Sequence, residues 1–118
     1  MYEIAPDIFR KRFLIEGFFI KETNEKTILE FFKRITSKLN LKTYGEAIVH
    51  TTGGVGKESN QGYDAFVPLI DSGIYMAVWS KQKFLSLIIY TCKDFEEMRA
   101  LQLTKDFFLI LEPEYKLF

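Results

Sequence analysis

Ser72 and Cys92 are the two side chains in this sequence best suited to covalent chemistry. Ser72 lies in Asp71–Ser72–Gly73, and a hydroxyl there could attack a carbonyl if a base took its proton. The sole histidine, His50, lies well upstream at the end of a different predicted strand. Asp64 and Asp71 are the nearest carboxylates in sequence, and Asp64 could serve as a substitute base. Taken by themselves, Asp, Ser and Gly are ordinary turn residues, so the same tripeptide also reads as a plain hairpin turn. Cys92 sits two residues before Asp94, where a helix start would make a thiol more nucleophilic. The other reading of Cys92 is a small buried apolar residue at a strand end. Trp79, Tyr75 and Phe84 could stack on an aromatic ligand, or could pack a core or a subunit contact. Thr51–Thr52–Gly53–Gly54–Val55–Gly56–Lys57 invites a phosphate-loop reading, but Glu58 stands where that loop needs Ser or Thr. A polar loop near a pocket mouth fits it better. One histidine with no cysteine or carboxylate at ligand spacing makes no metal site.

These groups need a scaffold. Arg12–Ile20 reads as a strand with Phe13, Ile15 and Phe19 on one face and Leu14 and Phe18 on the other. Apolar residues on both faces predict a central strand or an oligomer contact. Asn24–Asn40 is a helix: Ile28, Phe31, Phe32, Ile35 and Leu39 recur at helical spacing, and Thr23 or Asn24 can cap the start. Lys42–His50 reads as a second strand and Thr51–Gln61 as a loop. Gly62–Ile70 and Ile74–Trp79 form a hairpin around Asp71–Ser72–Gly73, and Phe84–Tyr90 follows as a strand. Asp94 opens a short helix with Glu97 at the capping-box position, and Phe107–Leu111 closes the pattern as a last strand. The order β-α-β-β-β-β-α-β predicts an α+β fold: a two-layer sandwich with one largely antiparallel sheet and two helices on one face.

Size and composition agree with that. The chain has 118 residues, enough for one domain over residues 1–118, with 47% apolar residues to fill a core. Sixteen basic residues balance sixteen acidic ones, which gives no electrostatic reason to expect nucleic acid or an anionic membrane as partner. No apolar run approaches membrane-spanning length. One cysteine excludes an internal disulfide and fits a reducing compartment, so the expected location is the cytoplasm.

The layout resembles the small prokaryotic S-adenosylmethionine decarboxylases. The resemblance is carried by Arg12–Phe13–Leu14–Ile15–Glu16–Gly17–Phe18–Phe19, by Gln61–Gly62–Tyr63–Asp64–Ala65, and by the spacing of Ser72, Trp79 and Cys92, over about residues 12 to 95. It implies a pyruvoyl-dependent lyase of polyamine (spermidine) synthesis, a homodimer, whose pyruvoyl group forms by self-cleavage before a serine. Ser72 matches that serine, and Cys92 matches the cysteine that protonates the product. The departures are specific. Ala77 falls where the family has a histidine that assists self-cleavage. Asp64 replaces a serine that also assists, and Gly73 replaces the histidine after the cleavage serine. Asp71 stands for glutamate, and Lys93 stands for the glycine after the cysteine. All five changes are expected to crowd one site. The resemblance therefore implies a relative that stays uncleaved, with no cofactor, and that binds S-adenosylmethionine or a related amine in a pocket beside Ser72. Cys92, Trp79 and Tyr75 are expected at that pocket and the Thr51–Gln61 loop over it. An active decarboxylase with a rearranged processing site, carrying a pyruvoyl group from Ser72, is the alternative. A structural or interaction module with no small-molecule site is a third.

Overall fold

The computed structural model describes residues 3–52 and 61–118. Six strands form one antiparallel sheet: β1 (Lys11–Phe18), β2 (Ile48–Thr51), β3 (Gly62–Leu69), β4 (Ser72–Trp79), β5 (Phe84–Thr91) and β6 (Glu114–Leu117). They lie in the order β2-β3-β4-β5-β1-β6. Helices α1 (Glu25–Lys38) and α2 (Glu97–Phe108) cover one face. The α+β architecture expected from sequence is what forms. No helix among the described residues is long and apolar enough to cross a membrane.

Alternation decides which face is covered. Phe13 and Ile15 in β1, Ala65 and Val67 in β3, Ile74, Met76 and Val78 in β4, and Leu85, Leu87 and Ile89 in β5 are all buried. They meet Ile28, Phe31, Phe32 and Ile35 of α1 and Ala100, Leu101, Phe107 and Phe108 of α2 in one continuous core. The ring of Phe31 lies 5.3 Å from that of Phe107 and 4.7 Å from that of Phe108, which ties the helices together.

Helix α1 starts and stops where its sequence dictates. The Asn24 side chain accepts from Thr27 N–H at 3.0 Å, and the Thr27 hydroxyl accepts from Asn24 N–H, so two orphan donors are satisfied. At the other end Asn40 takes φ 55, Leu41 N–H reaches the Thr36 carbonyl at 2.8 Å and Asn40 N–H reaches that of Ser37 at 3.2 Å, a Schellman closure.

Three boundaries differ from the sequence expectations. Phe107–Leu111 is not a strand, because Ala100, Leu101, Thr104, Phe107 and Phe108 continue one helical stripe until Leu109 ends it at φ 58. The last strand is Glu114–Leu117, wholly exposed and so without an apolar signature. Lys42–His50 shortens to a bridge at Thr43 and a strand at Ile48–Thr51, because Lys42–Glu46 finds nothing to bury against.

Candidate functional site

Ser72 is the first residue of β4 rather than the middle of a turn. Leu69 pairs with Ser72, so the turn is the two residues Ile70–Asp71, and Asp71 takes φ 58. Asp tolerates this left-handed conformation better than most residues do. Across the sheet Ser72 pairs with Thr91, the last residue of β5. That register brings Cys92 back over the turn. The Cys92 N–H points at both the Asp71 carbonyl, 3.3 Å, and the Ser72 Oγ, 3.3 Å. Cys92 itself is exposed. Helix α2 begins at Glu97 with Glu96 as a cap that makes no side-chain bond, so Cys92 lies outside the first turn expected to activate it. Asp94 does not open the helix; its carboxylate pairs with Lys11 Nζ at 2.9 Å, and Glu97 pairs with the same ammonium.

A cavity of about 170 Å³ opens beside the serine. Its apolar wall is Leu41, Leu69 and Ile70, and its polar wall is Lys42, Asp71, Ser72, Cys92 and Lys93. Three separate segments build it: the exit of α1, the β3–β4 turn and the exit of β5. Among the described residues, two larger clefts touch neither Ser72 nor Cys92. One runs between α1 and residues 43–47, about 460 Å³; the other lies by Phe18 and Leu111, about 710 Å³. Size therefore does not identify the site; the side chains do.

The other expected site residues lie apart from this cavity. Trp79 is the last residue of β4, seven residue steps from Ser72, roughly 23 Å along a strand. There it packs on Phe84 at 5.4 Å, with Phe18 beyond it at 5.2 Å from Phe84. Ala77 pairs with Asp64 across β3 and β4, on the face away from the helices. Tyr75 shares that face and donates to Asp64 Oδ1 at 3.1 Å; burial first, and then the Asp64 carboxylate, hold its phenol above the usual tyrosine value. The departures from the family pattern do not crowd one place. Asp71, Gly73 and Lys93 cluster at the Ser72 end, whereas Asp64 and Ala77 form a second group on the open face. The Thr51–Gln61 loop, with its phosphate-loop pattern, falls mostly on residues 53–60, outside the described residues.

That open face has an order of its own. The pairings place His50, Asp64, Ala77, Ser86, Glu16 and Glu114 in one row across six strands. Ser86 Oγ donates to Glu16 Oε2 at 2.7 Å. An apolar row lies beside it: Ile48, Phe66, Tyr75, Ile88 and Leu14. Phe18, Ile48, Phe66, Tyr75 and Tyr90 on this face are between 41% and 66% exposed, a large apolar surface with no cover. Gly73 belongs here too. A Cβ at 73 would stand 2.8 Å from Phe66 Cε1 and 2.9 Å from Cζ, so the ring occupies the place of any side chain there.

Self-cleavage would attack the Asp71 carbonyl with the Ser72 hydroxyl. The Cys92 N–H is placed to stabilise the resulting oxyanion, and being backbone it survives every side-chain change. The proton acceptor is the missing part. Among the described residues, Ser72 Oγ has the Cys92 N–H as its one hydrogen-bond partner, and that group is a donor. The described residues of one chain thus place no proton acceptor on Ser72 Oγ for forming a pyruvoyl group. No group of His, Cys, Asp and Glu among the described residues could hold a metal ion. Sequence reading missed Lys42 as part of this wall. The available signal was its position just past the Asn40 helix stop, which returns the chain toward the sheet.

A family model described as S-adenosylmethionine decarboxylase matches residues 12–116. No curated protein matches the chain. Among solved structures, the crystal structure of the adenosylmethionine decarboxylase from Aquifex aeolicus VF5 is similar, with a TM-score of 0.77 at 15% identity over 94% of this chain and 89% of that one.

Proposed function

Because the chain belongs to the S-adenosylmethionine decarboxylase family, we propose that it is an uncleaved relative that binds S-adenosylmethionine or a related amine beside Ser72. The observation that carries this is the Ser72 hydroxyl, which among the described residues has a donor as its partner and no acceptor to take its proton. Without that transfer the Asp71–Ser72 peptide stays a peptide. Ser72, Asp71 and Cys92 then serve as lining of a binding cavity, and the chain acts as a regulatory or inactive homologue.

We further propose that the binding unit is a homodimer packed through the open face of the sheet. Half-exposed Phe66, Tyr75 and Tyr90 support it, since a second sheet is a simple cover for such a surface. So does the separation of Asp64, Tyr75 and Trp79 from Ser72 within one chain. Those residues lie on the face that would meet the second copy, which could bring them to the neighbouring cavity as ligand contacts.

One observation favours the alternative, an active pyruvoyl-dependent lyase of polyamine synthesis: the Cys92 N–H aimed at the Asp71 carbonyl. A base from the second copy, with Asp64 the candidate, would complete that site. Intact mass under denaturing conditions decides between them. Denaturation is needed because strands from both sides of position 72 interleave in the sheet and would hold fragments together. A single species at 13.9 kDa is expected. Two pieces corresponding to residues 1–71 and 72–118 would replace this reading with the active enzyme.

A further inference from the structure

The residues that line the Ser72 cavity include two lysines and one aspartate. Lys42 enters from the segment after α1, and that segment is locked to the β3–β4 turn because Ile70 N–H donates to the Lys42 carbonyl at 2.9 Å. Lys93 enters from the exit of β5. Its Nζ donates to the Asn40 carbonyl at 2.9 Å in an exposed bond, next to the lining residue Leu41, and keeps its other protons for a ligand. Asp71 supplies the one negative charge. No ion pair joins it to either lysine among the described residues, so the positive excess is not cancelled locally. Asp64, the other carboxylate near Ser72 in sequence, faces the opposite side of the sheet.

The volume narrows the ligand further. About 170 Å³ takes the amino-acid head group of such a ligand and leaves its nucleoside part outside the cavity. Such a head group has one anionic part, its α-carboxylate.

We propose that Lys93, supported by Lys42, makes this cavity a receptor for the α-carboxylate of its ligand, so that the chain prefers an intact amino acid to the decarboxylated amine. This rests on the reading that the cavity takes an S-adenosylmethionine-like molecule. The charge arrangement also opposes decarboxylation. A carboxylate loses its charge as carbon dioxide departs, so an ammonium beside it stabilises the ground state more than the transition state. Lys93 stands where the resemblance has glycine, and a glycine could not exert this effect. The position thus converts a place for releasing a carboxylate into one for retaining it.

Titration calorimetry at low salt tests this on the wild-type protein, Lys93→Gly and Lys93→Gln. The probes are S-adenosylmethionine and its decarboxylated analogue. Wild type is expected to bind the carboxylate-bearing compound about fivefold more tightly, the size of a partly exposed charge contact. Both variants should bring the ratio close to one. Raised salt should do the same in wild type. A ratio unchanged by the two substitutions, or tighter binding of the decarboxylated compound by wild type, overturns the proposal. Heat from neither compound sinks the adenosyl-ligand reading instead. L-methionine against 3-methylthiopropylamine then reads the cavity alone, and equal or absent binding of that pair overturns the carboxylate proposal as well.

Discussion

Gly73→Ala puts the packing of the Ser72 hairpin to a quantitative test. The added methyl would stand 2.8 and 2.9 Å from two ring carbons of Phe66. Carbon atoms in contact sit about 3.5–4.0 Å apart. The ring must therefore move by at least ~0.7 Å, from ~2.8 to ~3.5 Å or more. Overpacking costs about 1–3 kcal/mol, and the lower half applies because Phe66 is 42% exposed and can swing outward. Replacing a strand glycine returns about 0.5–1 kcal/mol through lost freedom of the unfolded chain. The net change in the wild-type background is a loss of about 0.5–1 kcal/mol. In a Phe66→Leu background the two ring atoms no longer exist, so the same substitution should stabilise by about 0.5 kcal/mol. A coupling of roughly 1–1.5 kcal/mol follows, read from urea unfolding of the four proteins in a double-mutant cycle. A shift of the same sign and size in both backgrounds would refute the reasoning. It would mean that Phe66 does not fill the space at position 73, and that loss of a side chain there is unrelated to the open face.

Sedimentation at micromolar concentration should report about twice the chain mass of 13.9 kDa. Ile88→Glu, in the middle of the apolar row, should weaken that association at least 100-fold because it buries an unpaired charge; a monomeric wild-type protein would reject the open-face interface. Lys11 should govern the acid limb of stability. The hydrogen bond from Lys11 holds the Asp94 and Glu97 carboxyls below their usual values. Their contribution is complete above the unfolded carboxylate range and is lost as pH falls through the lowered folded values. Burial pulls the Lys11 ammonium down, but its bonds to Glu97 and Asp94 outweigh this and raise it, so its share is lost only as pH rises past the usual lysine range. The difference in Tm between wild type and Lys11→Met should shrink from pH 7 to pH 3; a constant difference would rule this out.

The parts of the fold that sequence made legible are those where one periodicity had no competitor. Ile28, Phe31, Phe32 and Ile35 admit a helix and nothing else, and the Asn24 and Asn40 stops bracket it. The β3–β4–β5 meander reads from alternation alone. The pattern failed where two periods overlap. Phe107, Phe108 and Ile110 look like a strand until Ala100 and Thr104 one and two turns back show the helical stripe. Strand β6 carries Tyr115 and Leu117 at alternate positions, but four exposed residues give too weak a signal. At the site, Ser72, Asp71 and Cys92 were readable because turn chemistry and strand spacing place them locally. The separation of Asp64 and Ala77 from them was not, since it depends on which side of the sheet each strand presents, whereas Trp79 lies apart because it ends the strand that Ser72 begins. Lys42 and Lys93 carry no pattern at all; only the meeting of two chain exits brings them together.

Strand β1 has a consequence for how this protein comes into being. It precedes the other five described strands in the chain, yet Phe13 pairs with Ile89 on one side and Leu117 on the other. During synthesis its backbone donors and acceptors find no strand neighbours until β5 and β6 have been made. Closing loops of that length costs entropy before any contact repays it, so folding is expected on the slow side, milliseconds to seconds. Meanwhile a strand with apolar side chains on both faces stays available to other nascent copies. An interior strand whose two neighbours both come late in the chain thus leaves its edges open to association until they are made.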